Sequence, residues 1–402
     1  MKKCIILVTL IGLLFTFTNF IPISAIPALL IIFIPFLVCA KSKYNLLFVS
    51  LLFLQIYLFV STLFYAPESL LEYDFYRRDG NVFITFSPLL VLLLLKGKIN
   101  IEKIFDAFLY SSTLINFLCL VTYFLSSGTI NGRNGIYLFL FIGHNAAGGF
   151  LMVLTAISIA RLLTRCTLTS QIIFVINFVA LIATNSRGSI LAIFCSVIML
   201  MAYKVNYEKF LIFMFAFLQI FLYGWLYVNA PSDFLYASYN TYDPNIFENN
   251  FNLNRLSTFI IRGFYLWPRA IYLFLESPIV GTGFGSYNDV PYNFVGVDGF
   301  FVYNDAKMIF DDHHAHNTFL HVLAETGILG MVLLITFMFY CEKYIKTIKN
   351  KYIFLGLYLS LWGAIFSSVT EHRFFTPSQM LPFVLLLGLT HLGGNQVDVE
   401  EE

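Results

Sequence analysis

Residues 45–64 read NLLFVSLLFLQIYLFVSTLF. These twenty residues carry no charge and are apolar on every side of a helical wheel. As an α-helix they extend about 30 Å, the thickness of the hydrocarbon layer of a bilayer. A helix apolar all round is either buried in a very large core or solvated by lipid. Comparable stretches precede it at 4–20 and 23–40. Others follow at 82–96, 104–126, 138–160, 171–185, 189–203, 209–229, 317–340, 352–370 and 376–393. Of the 402 residues 59% are hydrophobic and 12% are charged, with 46 Phe, 24 Tyr and a mean hydropathy of +0.79. Soluble domains carry about 25% charged residues, so this chain needs lipid as its solvent. A cytosolic enzyme, a nucleic-acid-binding protein and a disordered scaffold are all excluded.

The sequence therefore predicts an all-α polytopic membrane protein with about twelve transmembrane helices. Residues 1–229 hold helices one to nine and 230–316 form a large loop. Residues 317–393 hold the last three helices, and 394–402 form an acidic tail. The run after Lys2 and Lys3 lacks a small-residue cleavage site, so it reads as a retained first helix rather than a removed signal. The six cysteines lie in or beside apolar runs, which implies no disulfide framework.

Charge placement sets the expected orientation. With the N-terminus in the cytoplasm, alternate connections collect fifteen of the 24 Lys and Arg, thirteen of them lysine. The opposite side holds Arg77, Arg78, Arg133, Arg187, Arg255, Arg262, Arg269 and Arg373, with Lys307 its one lysine. Arginine presents a planar fork that suits phosphate or carboxylate. A set of arginines on the outer face points to an anionic ligand there. The loop 230–316 lies on that face and far exceeds the usual length of an inert connection. Within it, 264–275 is apolar enough for an amphipathic or re-entrant helix, and Gly281, Gly283 and Gly285 suit turns.

Four constellations can carry chemistry. The first is His313-His314-Ala315-His316-Asn317, followed by His321 and Glu325. A helix starting near Asn317 puts His321 and Glu325 four residues apart on one face. It leaves His316 at the helix N-terminus, whose positive end favours a neutral imidazole of the kind a general base needs. A His-rich wet cap is the plain alternative. Asp311, Asp312, His313, His314 and His316 are a further alternative as metal ligands, but their spacing matches no established zinc pattern, and no metal is expected. The second is Asn185-Ser186-Arg187-Gly188-Ser189, an arginine at a helix entrance suited to phosphate, or one snorkelling to headgroups. The third is Arg262…Trp267-Pro268-Arg269, leading into Gly281-x-Gly283-x-Gly285; it lacks the strand and spacing of a dinucleotide site. The fourth is Arg133 followed by Gly143-His144-Asn145-Ala146-Ala147-Gly148-Gly149, whose small residues favour close helix packing over chemistry.

In this order the motifs resemble the O-antigen ligase/polymerase superfamily. The elements are Asn145 with its small neighbours, Ser186-Arg187-Gly188, an arginine ahead of Trp267, Pro278…Gly281-x-Gly283-x-Gly285, and His314-x-His316-Asn317…Glu325-x-Gly327. The resemblance spans roughly residues 130–340. It implies a GT-C-like glycosyltransferase of the bacterial inner membrane, with a large periplasmic loop over the site. Its donor is an undecaprenyl-pyrophosphate-linked glycan, its acceptor a hydroxyl, and the transfer proceeds without cofactor or metal. Carried over by position, His316 activates the acceptor, while Arg187 and Arg262 hold the pyrophosphate; Arg255 or Arg269 remain open for the second arginine. His314, Asn317, His321, Glu325, Arg269 and Arg133 are supporting candidates. A ligase passes the glycan to lipid A–core, whereas a polymerase passes it to another lipid-linked unit; the well-formed His-Asn and Ser-Arg-Gly elements lean towards the ligase. A transporter is the third possibility, disfavoured by the one-sided placement of polar residues and the scarcity of midplane charges.

Overall fold

The structure is a computed structural model and describes residues 45–65, 67–71, 75–76, 79–95, 99–141, 143–229, 261–287 and 314–393. The expected spans 4–20 and 23–40, Arg77, Arg78, Arg255, Lys307, residues 311–313 and the acidic tail lie outside them.

Each of the other ten expected spans is a helix. They are α1 (Leu46–Tyr65), α2 (Asn81–Leu94), α3 (Ile101–Leu125), α4 (His144–Thr164), α5 (Leu168–Ala183), α6 (Arg187–Lys204), α7 (Glu208–Val228), α9 (Thr318–Lys346), α10 (Lys351–Ser367) and α11 (Pro377–His391). Within the long loop, a π-helical turn (Ile261–Leu266) runs into α8 (Trp267–Glu276), close to the helix expected at 264–275. By length and composition, α1, α3, α4, α6, α7 and α9 can cross a membrane; α2, α5 and α10 are shorter apolar helices. The expected start of α4 at 138 is corrected to His144. The preceding residues form a two-stranded hairpin, β1 (Gly132–Arg133) with β2 (Ile136–Tyr137), turning through Asn134 and Gly135 at positive φ.

The helices begin where side chains can take up their orphan N–H groups. Asn100 caps α3, Thr167 caps α5, Asn317 caps α9 and Asn350 caps α10, each accepting from the first turn. α10 lies at the centre against α4 and α6, with α11 packed on α2 and α4, and α1 on α9. Lipid offers no hydrophobic drive between helices, so close approach and polar contacts must hold them. Gly148 of α4 lies against Ser186 and Ser189, and Gly149 against Gln379. Deeper in the bundle, Asn116 donates to Asn177 (3.0 Å), and Asn177 donates to Thr113 and Ser158 (2.9 Å each), tying α3, α4 and α5. α7 is the opposite case: among its residues only Glu208, Tyr223 and Leu226 are buried, so it faces outward along nearly its whole length.

The bundle has two polar ends. At one, Arg165 pairs with Glu102, Arg161 with Asp106, Asn350 with Glu102, and Lys346 with Glu208. At the other, Asp79, Asn145, Ser186, Arg262, His316 and residues 370–373 converge.

α9 is not continuous. Gly327 has φ 61° and ψ −161°, a conformation open almost solely to glycine. The hydrogen bonds that Ile328 and Leu329 would make to Ala324 and Glu325 are intercepted. Ile328 N donates to Pro278 O (2.9 Å) and Leu329 N to Ile279 O (3.2 Å). Thr282 N donates to Ala324 O (3.1 Å) and Gly283 N to Glu325 O (2.8 Å). Gly281, also at positive φ (76°), leaves no room for a Cβ against the Glu325–Thr326 backbone. Segment 278–283 is thus inserted into the helix, and four backbone groups stay paired as it breaks.

Candidate functional site

The site forms where the short half of α9 meets the turn between α10 and α11. Asn317 caps α9, its Oδ1 accepting from Phe319 N (3.0 Å) and Leu320 N (3.1 Å), while its Nδ2 donates to Tyr223 OH at 2.5 Å. His316 precedes the cap with φ 48°, a left-handed conformation uncommon for a side-chain-bearing residue and typical of functional positions. Its N–H donates to His314 Nδ1 (3.1 Å), and its Nδ1 lies 2.8 Å from Glu371 Oε2.

Glu371 is the hub. Arg262 Nη2 meets its Oε1 at 2.9 Å, and Asn145 Nδ2 donates to the same oxygen at 3.0 Å. Arg262 also donates to the Thr370 carbonyl (2.9 Å). Burial alone would raise the Glu371 carboxyl, but the hydrogen bond from His316 and the charges of His316, Arg262 and Arg373 outweigh it and hold the group well below the usual carboxylate range. Arg373 is fully buried and donates to Ser186 (2.8 Å), Asn145 (3.3 Å) and Ser189, binding the turn to α4 and α6. Burial draws its guanidinium down to about 10, partly countered by Glu371. Burial also pushes the His314 and His372 imidazoles well below their ordinary range, aided by the neighbouring histidines.

A second group lies behind the first. His321 Nε2 is 2.7 Å from Asp79 Oδ1 and 3.3 Å from Glu325 Oε2, so the expected His321–Glu325 pairing on one helix face is present. His372 Nε2 lies 3.9 Å from the same Asp79 oxygen. Glu325 Oε1 accepts from Tyr287 N (2.9 Å).

Of the residues singled out in the sequence, His314, His316, Asn317, His321, Glu325 and Arg262 converge here. Arg187 opens α6 with an exposed side chain that makes no hydrogen bond or ion pair among the described residues; it is therefore not held in place. The next residue, Gly188, packs against Thr370, which puts Arg187 at the rim of the same turn. The first turn of α6 has no side-chain cap from Ser186. Arg269 does not join: buried on α8, it donates to Tyr287 O (2.6 Å) and lies over that ring (4.8 Å). Of Arg262 and Arg269, Arg262 is the one paired with Glu371. Arg133 sits exposed on the hairpin, away from the cluster. In the stretch Gly143–Gly149, Gly148 and Gly149 pack closely against neighbouring side chains, and Asn145 hydrogen-bonds Glu371.

Sequence reasoning missed Glu371, Asp79 and His372, and gave Arg373 no role. Glu371-His372-Arg373 is a charged triplet between two apolar runs, and such groups at membrane depth are costly unless paired and used. That signal was available.

Residues 172–335 match the O-antigen ligase family, covering the Ser186-Arg187-Gly188 element, the expected loop and α9 past its break as far as Ile335. No curated protein matches the chain. Members of this family are glycosyltransferase-like membrane enzymes with lipid-linked glycan substrates.

Proposed function

We propose that this chain, whose residues 172–335 belong to the O-antigen ligase superfamily, is an O-antigen ligase that transfers an undecaprenyl-pyrophosphate-linked glycan to a sugar hydroxyl of lipid A–core. The observation that carries the reading is the single carboxylate of Glu371 binding His316 through one oxygen and Arg262 through the other. With Nδ1 holding its proton for Glu371, His316 Nε2 carries the lone pair a general base needs. The acceptor hydroxyl attacks the anomeric carbon as Nε2 takes its proton. The bond from that carbon to the pyrophosphate oxygen breaks, and its electron pair leaves with the pyrophosphate. One displacement inverts the anomeric centre. Arg262, Arg187 and the uncapped N–H groups of α6 supply positive charge where the leaving group becomes more anionic. The lipid carrier and the one-sided distribution of lysines and arginines support a reaction at the periplasmic face of the inner membrane.

The test is reconstitution of the purified protein with an undecaprenyl-pyrophosphate-linked glycan and lipid A–core. Glycan is expected on the core, and His316→Ala is expected to lower that transfer by roughly 10²- to 10⁴-fold with an unchanged detergent elution profile. Longer chains on the lipid carrier with the core untouched would assign the polymerase reaction instead. Undiminished transfer by His316→Ala would remove the general-base role.

A further inference from the structure

Behind the His316–Glu371 pair, three chain segments bring metal-ligating atoms together: Asp79 just before α2, His321 and Glu325 on the short half of α9, and His372 in the α10–α11 turn. We propose that Asp79, His321 and His372 bind one divalent metal ion of the zinc type, with Glu325 beside His321.

All four residues are buried, His321 and Glu325 completely. The ligand atoms of Asp79, His321 and His372 lie within 4.8 Å of one another. Around a tetrahedral ion with bonds of about 2.0–2.2 Å, ligand atoms stand roughly 3.3 Å apart. Two separations within the group lie on either side of that value, 2.7 Å from His321 Nε2 to Asp79 Oδ1 and 3.9 Å from His372 Nε2 to Asp79 Oδ1. Small side-chain rotations bring them onto one centre.

Two further observations point to a cation. Both ring nitrogens of His372 and Oε2 of Glu325 have no hydrogen-bond partner. Buried polar atoms are rarely left so, because each forfeits its hydration. One ion would take His372 Nε2. The second concerns charge: Asp79 and Glu325 are two buried carboxylates that share one imidazole, His321, as their neighbour of opposite charge among the described residues. A divalent ion beside two carboxylates, with both imidazoles neutral, makes the cluster electrically neutral, the form a low-dielectric interior favours. One contact must yield: Ala315 N–H faces His321 Nδ1 at 3.4 Å, and ligation through Nε2 puts a proton on Nδ1. At that length the bond is weak.

The ion would not touch the reacting atoms. It would fasten the segment before α2 and the α10–α11 turn to α9, one residue from Glu371. The inference is independent of the transfer reaction, and its test does not measure transfer.

The full chain, purified with a tag free of histidine and stripped with a chelator, is titrated with Zn²⁺ or Co²⁺ alone, followed by gel filtration and elemental analysis. One ion per chain is expected, with the visible absorption bands of tetrahedral Co²⁺ and a rise in melting temperature with added Zn²⁺. His372→Ala and the near-isosteric Asp79→Asn should lose the bands, and His316→Ala should keep them. A wild-type chain that retains no stoichiometric metal overturns the proposal without recourse to any variant. So does full binding by His372→Ala.

Discussion

At the scale of single residues, the carboxylate of Glu371 sets what His316 can do. Glu371→Gln keeps the shape but lets the imidazole ring take the wrong tautomer. Transfer should fall by roughly 10- to 100-fold, part of what a general base supplies. The same substitution has a pH signature. The folded carboxyl titrates below its ordinary 4.5, so the unfolded chain takes up the proton first. The stability it contributes is therefore whole above about pH 4.5 and is lost as the pH falls further. The melting-temperature gap between wild type and Glu371→Gln should be constant from about pH 8 to 6 and shrink towards about pH 4. A gap that widens on acidification would contradict the sign. His316, Asn317, His321 and Glu325 were legible in the sequence because residue type and local spacing announce them, whereas Arg262 stood out only through the resemblance, with Arg255 and Arg269 left open. Glu371 was marked only by its charged triplet, and Asp79 not at all, because the partners of each lie far along the chain: Asn145 lies 226 residues from Glu371, and Asp79 lies 242 from His321. No local period encodes such a meeting.

Among the elements, the apolar runs at 104–126, 171–185, 189–203 and 209–229 became helices because an uninterrupted apolar segment has one way to pair its own backbone in lipid. The break in α9 was hidden for the same reason. Residues 317–340 read as one run, and Gly327 alone does not say what will be inserted beside it. Gly327→Ala tests the break. The conformation costs a non-glycine residue of order 1–3 kcal/mol, and the added Cβ would also meet the Ile279 carbonyl. A clearly lower melting temperature in detergent, together with weaker transfer from displaced His321 and Glu325, is expected. An unchanged melting curve would mean that α9 runs through unbroken.

On the scale of the whole molecule, the two polar ends divide the work. Paired charges such as Arg165–Glu102 and Lys346–Glu208 mark one end, and the histidines and arginines of the site mark the other. Cys166 is exposed at the first end, in the turn between α4 and α5; Asn134 is exposed on the hairpin near the second. In intact cells a membrane-impermeant maleimide should label Asn134→Cys and leave Cys166 untouched until the cells are lysed. The reverse pattern would invert the orientation drawn from the lysines. The inserted segment 278–283 also bears on how the chain is made. When 318–346 first enters the bilayer, its N–H and C=O groups have only one another, and lipid tolerates none of them unpaired. A helix inserted that way is expected to be straight at first. Ala324 and Glu325 then exchange partners when 278–283 docks, and the expectation is that the half-helix bearing His321 and Glu325 swings into place after the membrane spans are laid down, with the site among the last parts to be assembled.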